Sequence, residues 1–383
     1  MLPFDFQLRT RIVFGPDKVD TLGELAGELG ARRALVVSDP GIVAAGHTEH
    51  GIAALRRAGI ETRLFDGVCE NPTTDNVEAG LAVAREHSPE LLVGLGGGSS
   101  MDCAKGINFL YSNGGRMQDY WGVGKATREM LPMIAVPTTS GTGSEAQSFA
   151  LISDAETHVK MACGDRKAAC RVALLDPKLT VTQPQGVTAL TGIDAIAHAL
   201  ETYVTRRRNP MSLLFSREAW RSLEANFGRV LDDPMNLEAR AGMQLGACLA
   251  GLAIEHSMLG ATHALANPLT TTYGIVHGQA IGLMLPHVIR FNGREFGRMY
   301  RELLEYTSDE NGAPHPDSGP EGLAEFIAEM RTKAGLPDRL AQCGVERDKL
   351  PELAADAAKQ WTGTFNPRQV GESDLLELYQ AAY

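Results

Sequence analysis

Aromatic residues are scarce in this chain of 383, at 6%, and its six cysteines show no pairing pattern. Few aromatics beside 41 glycines argue against a β-sandwich and for an α/β protein with many tight turns. Cys69, Cys103, Cys163, Cys170, Cys248 and Cys343 contain no Cys-x-x-Cys pair, and the chain is too long for a small disulfide-stapled domain. Six free thiols in a reducing cytoplasm are expected. Basic residues are outnumbered, with Lys+Arg at 36 against Asp+Glu at 47, giving a net charge of −11. That balance excludes general binding to nucleic acid or an anionic membrane. No apolar run reaches the roughly 18 residues of a spanning helix. The opening Met1-Leu2-Pro3-Phe4-Asp5-Phe6 lacks the basic and apolar regions of a secretory signal. A soluble cytoplasmic protein is the expectation. A hydrophobic fraction of 44% can supply a sizeable core, and the length suggests two domains.

The first half alternates between short apolar runs and helical patterns. Arg11–Phe14, Ala34–Ser38, Thr62–Phe65, Leu91–Leu95, Met133–Val136 and Val172–Leu175 read as strands. Val19–Leu29, Glu49–Ala58 and Asn76–His87 read as helices. That order implies βαβ units, a mostly parallel sheet and a ligand beyond the strands' carboxyl ends. After Pro184-Gln185-Gly186 the runs become helical: Ala189–Val204, Leu213–Phe227, Leu237–Ile254, Arg298–Tyr306, Gly322–Ala334 and Ser373–Ala382. The reading is an α/β domain over 1–186 and a helical domain over 187–383. Residues 308–320, polar and rich in Pro and Gly, read as a loop.

Three turns in the first half suit a dinucleotide. Leu91-Leu92-Val93-Gly94-Leu95-Gly96-Gly97-Gly98-Ser99-Ser100 runs from a buried-type strand through glycines toward a helix, whose first N–H groups form an anion site. It is neither Gly-x-Gly-x-x-Gly nor a P-loop, and its plain alternative is a tight turn. Val136-Pro137-Thr138-Thr139-Ser140-Gly141-Thr142-Gly143-Ser144-Glu145 could line a cofactor groove or be an ordinary Ser/Thr-rich turn. Asp39, just past a strand, could accept hydrogen bonds from an adenosine ribose and repel a 2′-phosphate, favouring NAD over NADP, or simply cap a helix.

The second half carries a metal-ligand pattern. Asp194 and His198 stand at i, i+4, which puts both on one helix face. His263 and His277 follow downstream. One carboxylate and three imidazoles suit a divalent transition ion, iron(II) or zinc best. His47, His50, His87 and His315 read as ordinary hydrogen-bonded histidines.

These residues resemble the iron-containing (group III) alcohol dehydrogenase family over nearly the whole chain. The resemblance is carried by Ser38-Asp39-Pro40-Gly41, Asn71-Pro72-Thr73, Gly96-Gly97-Gly98-Ser99 with Asp102 and Lys105, and the 137–145 turn. Asp176-Pro177, Asp194 with His198, His263-Ala264-Leu265-Ala266, and His277-Gly278 with Leu285-Pro286-His287 complete it. It implies a Rossmann-like NAD-binding α/β domain and an all-α domain, the dehydroquinate synthase-like architecture, with a cleft site. By position it implies Asp194, His198, His263 and His277 as metal ligands, commonly of iron(II) and in some members zinc. It also implies cofactor contacts from Asp39, Asn71, Gly97, Gly98, Ser99, Asp102, Thr138, Thr139, Thr142 and Lys160. The implied activity is hydride transfer between NAD(H) and a small alcohol or aldehyde. The ion would act as Lewis acid, and a homodimer is implied.

One position departs from the family. Where many members carry a second histidine, four residues after the third ligand, this chain has Asn267, which cannot act as a general base near neutral pH. His256 would share a face with His263 if the intervening segment were helical, and could then substitute in moving the proton. Alternative readings are a hydroxyacid–oxoacid transhydrogenase, a sugar-phosphate cyclase and a non-enzymatic cofactor-binding scaffold. A cyclase needs more basic residues near these motifs than Arg206-Arg207-Arg208, and a scaffold has no use for the ligand set.

Overall fold

The computed structural model describes residues 3–307 and 316–383. The apolar runs of the first half become β1 (Arg11–Phe14), β2 (Arg33–Val37), β3 (Glu61–Phe65), β4 (Leu91–Gly96), β6 (Met133–Pro137) and β9 (Val172–Leu175). They form one six-stranded sheet in the order β1-β9-β6-β4-β2-β3, with every pairing parallel. Every residue of β4, β6 and β9 is buried, as strands covered on both faces require. The covering helices are α1 (Leu22–Glu28), α2 (Pro40–Ala44), α3 (His47–Arg57), α4 (Thr74–His87) and α5 (Gly98–Asn113). One core, with Leu35, Val37 and Leu92, packs on Ile107 and Leu110 of α5. The opposite core, with Val36, Val93 and Leu95, packs on Leu22, Ile52 and Leu55.

A second, three-stranded sheet has no counterpart in the sequence reading. It comprises β5 (Gly122–Val123), β7 (Phe149–Ser153) and β8 (Lys160–Gly164), with β7 and β8 antiparallel. Phe149-Ala150-Leu151-Ile152 is apolar at every position, so it shows no period-2 alternation to mark it.

The chain separates into two units. One holds Gln7–Thr139 and Gly143–Gln183. The other holds Pro184–Tyr383 together with Ser140–Thr142 and the chain's first residues through Phe6. A single contiguous cut at 186 does not capture that short excursion at 140–142. The second unit contains α6 (Gln185–Val204), α7 (Pro210–Asp232), α8 (Leu237–Glu255), α9 (Ala261–Tyr273), α10 (His277–Leu304), α11 (Gly319–Lys333), α12 (Leu350–Ala357) and α13 (Glu372–Ala381). No strand occurs among its described residues. Ile193, Trp220, Phe227, Leu265, Met284 and Tyr379 lie in its core.

The segment read as Arg298–Tyr306 matches the second part of α10, because Phe296 leaves helical geometry and kinks the 28-residue run into two helices, with Pro286 inside the first. α9 likewise contains Pro268. Proline removes a donor and normally signals a helix end, so tertiary packing overrides the local signal in both. Of the expected loop, residues 308–315, His315 included, lie outside the described residues, and α11 already begins at Gly319.

Candidate active site and metal centre

In the α/β unit, β3 lies beside β2 on one side, and the chain then returns to place β4 on the other. Connections diverge between β2 and β4, which makes the carboxyl ends of these strands a switch-point crevice. β4 ends at Gly96 with φ +153, and a Cβ there would meet Ser100 Oγ at 2.4 Å. Only glycine fits that turn. Gly97 is the N-cap of α5 and Gly98 its first residue, so the free N–H groups and positive end of a 16-residue helix open beyond β4. Asp39 follows β2. Its Oδ1 accepts the N–H of Ile42 and its Oδ2 the hydroxyl of Ser100, both at 3.1 Å. The capping alternative for Asp39 is therefore realised at one oxygen, while the other faces the glycine turn.

Asn71, held at φ +52, donates its N–H to Ser99 Oγ at 3.3 Å and accepts Lys160 Nζ at 3.4 Å. Thr138 donates its N–H to Gly96 O at 2.9 Å, and Thr139 borders Gly97. Asn71, Gly97, Gly98, Ser99, Thr138, Thr139 and Lys160 are thus drawn to the glycine turn. Thr142 belongs instead with the helical unit. Asp102 is tied inward, accepting Ser144 Oγ at 2.6 Å and the Leu151 N–H at 3.3 Å. Burial pushes its carboxyl above the usual range, against the pull of Lys105 and Ser144. Lys105 is fully buried and spends its protons on Ser144 O, Ser144 Oγ and Phe149 O at 2.7, 2.8 and 2.9 Å.

In the helical unit, α6 delivers Asp194 and His198 from one face, α9 delivers His263 from its first turn, and α10 begins at His277. The Nε2 atoms of His198, His263 and His277 stand 3.4, 3.5 and 3.7 Å from one atom, Asp194 Oδ1. Ligand atoms of Asp194, His263 and His277 all lie within 4.8 Å of one another. The rings of His198 and His263 stack at 4.9 Å. Gly278 lets α10 approach α6, since a Cβ there would fall 2.2 Å from Leu190 O.

Asp194 Oδ1 and His263 Nε2 are buried without a hydrogen-bond partner. A buried carboxylate oxygen and imidazole nitrogen left this way are costly unless something binds them. Burial opposes ionisation of Asp194, but the three imidazoles overcome it and hold the carboxyl well below its usual range. Burial also lowers His263, yet Glu201 and Asp194 outweigh it and push it up to about 9. Burial lowers His198, partly offset by Asp194. One anionic oxygen and three imidazole nitrogens form a donor set that fits a divalent transition ion.

Glu201 escaped the sequence reading. It follows His198 by three residues on α6, so the i+7 repeat from Asp194 was the available signal. Its Oε2 accepts His263 Nδ1 and its Oε1 the Thr262 N–H, each at 2.6 Å. His198 Nδ1 faces Gly141 O at 3.3 Å, within the 140–142 excursion.

Asn267 lies one turn beyond His263 and donates Nδ2 to Gln360 Oε1 at 3.0 Å. For His256 the premise of a shared helix face fails. α8 ends at Glu255 and α9 starts only at Ala261, with Gly260 at φ −138, ψ −144 between them. The His256 ring packs on Phe6 at 4.5 Å and on Phe215 at 6.3 Å.

A parallel sheet with a glycine turn at its switch point, and a helical unit holding an Asp-His-His-His cluster, are features of a metal-dependent dehydrogenase. The family model described as iron-containing alcohol dehydrogenase matches residues 9–177, and that of the family's C-terminal region matches 188–383. The chain belongs to the iron-containing alcohol dehydrogenase family, and is an alcohol dehydrogenase, a metal-dependent oxidoreductase of alcohols and aldehydes. It is 33% identical over 383 residues to the 1,3-propanediol dehydrogenase of Klebsiella pneumoniae, covering 99% of each chain. A crystal structure of a 1,3-propanediol oxidoreductase superposes with a TM-score of 0.95 at 33% identity, over 100% of both chains. The NAD+ complex of sulfoacetaldehyde reductase from Bifidobacterium kashiwanohense matches with a TM-score of 0.89 at 26% identity, over 100% of this chain and 99% of that one.

Proposed function

We propose that this enzyme interconverts small neutral primary alcohols and aldehydes, with NAD(H) at the β2/β4 crevice and iron(II) held by Asp194, His198, His263 and His277. The observation that carries the metal assignment is the convergence of three Nε2 atoms on Asp194 Oδ1 at 3.4 to 3.7 Å. When bound, the ion supplies Lewis-acid polarisation and the nicotinamide accepts or donates hydride. The chain does the rest. The N-terminus of α5 and Ser99 hold pyrophosphate, and Thr138 and Thr139 flank it. Lys160 and Asn71 close the adenosine side, where the Asp39 carboxylate disfavours a 2′-phosphate. Asp194 contributes the negative charge that retains a cation, and Asn267 offers an amide to hydrogen-bond a hydroxyl or water on the proton path. No Lys or Arg stands within seven residues in sequence of Asp194, His198, His263 or His277, which favours neutral over phosphorylated substrates. The supporting case for a cytoplasmic homodimer is the family resemblance together with a sequence that has no Cys-x-x-Cys pair, and sedimentation of the purified chain tests the dimer.

The experiment is reconstitution of metal-stripped protein with iron(II) or zinc, followed by NADH absorbance across a panel of small alcohols and aldehydes. Net NADH formation with simple alcohols, lost together with bound metal in Asp194→Ala, is expected. Turnover that survives in Asp194→Ala without bound metal would sink the assignment.

A further inference from the structure

Glu201 is buried at 4% exposure and spans two groups at the start of α9. Oε1 accepts the Thr262 N–H and Oε2 faces His263 Nδ1, each at 2.6 Å. The approach depends on Gly260, where a Cβ would stand 3.1 Å from Glu201 Oε1 and 3.0 Å from Asn366 Oδ1. Asn366 Oδ1 accepts the neighbouring Ala261 N–H at 3.3 Å, so this helix start is held by acceptors on two sides.

An ionised carboxylate accepts hydrogen bonds and donates none. His263 Nδ1, facing it, therefore carries the proton. In the neutral ring the lone pair then lies on Nε2, the atom 3.5 Å from Asp194 Oδ1. Two buried carboxylates, Asp194 and Glu201, also balance one divalent cation among neutral imidazoles, as burial of charge demands.

We propose that Glu201 is a positioning residue acting through His263: it selects the imidazole tautomer that presents Nε2 to the metal and supplies the second negative charge of the centre. This rests on reading the Asp194 cluster as a divalent metal site. Glutamine cannot replace Glu201. It has one acceptor oxygen, so either the Thr262 N–H meets an NH2 group, or His263 must turn Nδ1 into an acceptor and place its proton on Nε2.

The test uses the full-length chain, stripped of metal and loaded with zinc or cobalt(II). Zinc affinity is measured by chelator competition for wild type, Glu201→Gln and Glu201→Asp, with helix content followed by circular dichroism. Glu201→Gln is expected to bind zinc roughly 10–100-fold more weakly and to shift the visible cobalt(II) spectrum at unchanged helix content. Glu201→Asp, which keeps the charge and both acceptors, is expected to recover part of the affinity. Wild-type affinity and an unchanged cobalt spectrum in Glu201→Gln overturn the proposal alone. A wild-type chain that takes up no ion overturns the metal centre and this inference with it. Should Glu201→Gln not fold, wild-type cobalt(II) protein decides the matter by proton NMR. A paramagnetically shifted His263 Nδ1–H that exchanges slowly with water supports the role, and rapid exchange overturns it.

Discussion

The Ser100 hydroxyl donates to Asp39 Oδ2 across 3.1 Å, tying the end of β2 to the first turn of the helix after β4. This bond spans the position where the strand connections diverge, and it presents a carboxylate beside the glycine turn. The choice between NAD and NADP is proposed to lie in that one side chain.

Asp39→Ser keeps an oxygen to cap α2 and removes the charge. Losing hydrogen bonds to a charged acceptor costs about 1.5 kcal/mol, which is roughly tenfold. The expected result is a roughly tenfold drop in kcat/KM with NAD and a rise with NADP. A ratio of the two cofactors left unchanged would remove Asp39 from cofactor choice.

Gly278→Ala places a methyl 2.2 Å from the Leu190 carbonyl oxygen. Backbone, not a flexible side chain, is what it meets. Overpacking of this kind costs about 1–3 kcal/mol, and here it displaces the start of α10 that carries His277. Thermal unfolding should move down and zinc content should fall. An unshifted melt with full metal content would show that α10 does not need this close approach.

Asn267→His introduces an ionisable ring one turn beyond His263. If position 267 lies on the proton path, the kcat profile gains a limb near the ordinary histidine range of about 6.5. An unaltered profile takes Asn267 off the path. His256→Phe should leave turnover unchanged, because His256 packs on Phe6 and Phe215 and sits beyond the end of α8. A steep loss of kcat with the fold intact would restore it to the relay.

Thiol reactivity should divide the cysteines by burial. Burial pushes the Cys103 and Cys163 thiols up to about 12 and that of Cys170 up to about 11, and Cys248 is buried too. Thiolate is the reactive form. At pH 8 a disulfide reagent should titrate only the exposed Cys69 and the half-buried Cys343 in native protein, and all six after denaturation. Fast modification of a third thiol would show that one of the buried sites opens.

The legible parts of this fold were those where local pattern and tertiary environment agree. Leu91–Leu95 reads as a buried strand because its apolar run must be covered on both faces, and the strand Leu91–Gly96 is buried throughout. The illegible parts were those where they conflict. Pro268 and Pro286 look like helix ends and sit inside helices, because packing holds the flanking turns. The strand Phe149–Ser153 lacks alternation and was missed. The helix face that would join His256 to His263 does not exist, because residues 256–260 leave helical structure between α8 and α9.

By itself the amino-acid sequence determined the α/β-then-helical order, the net charge of −11 and the residue types of the ligand set. Asp194 and His198 are neighbours on one helix face by periodicity alone, so that pair needed no tertiary information. The tertiary structure decided that His263 and His277, from two other helices, meet the same Asp194 oxygen, and that Glu201 stands behind His263. Those relationships depend on how α6, α9 and α10 pack, at distances set by Gly260 and Gly278, and no sequence periodicity encodes contacts between separate helices.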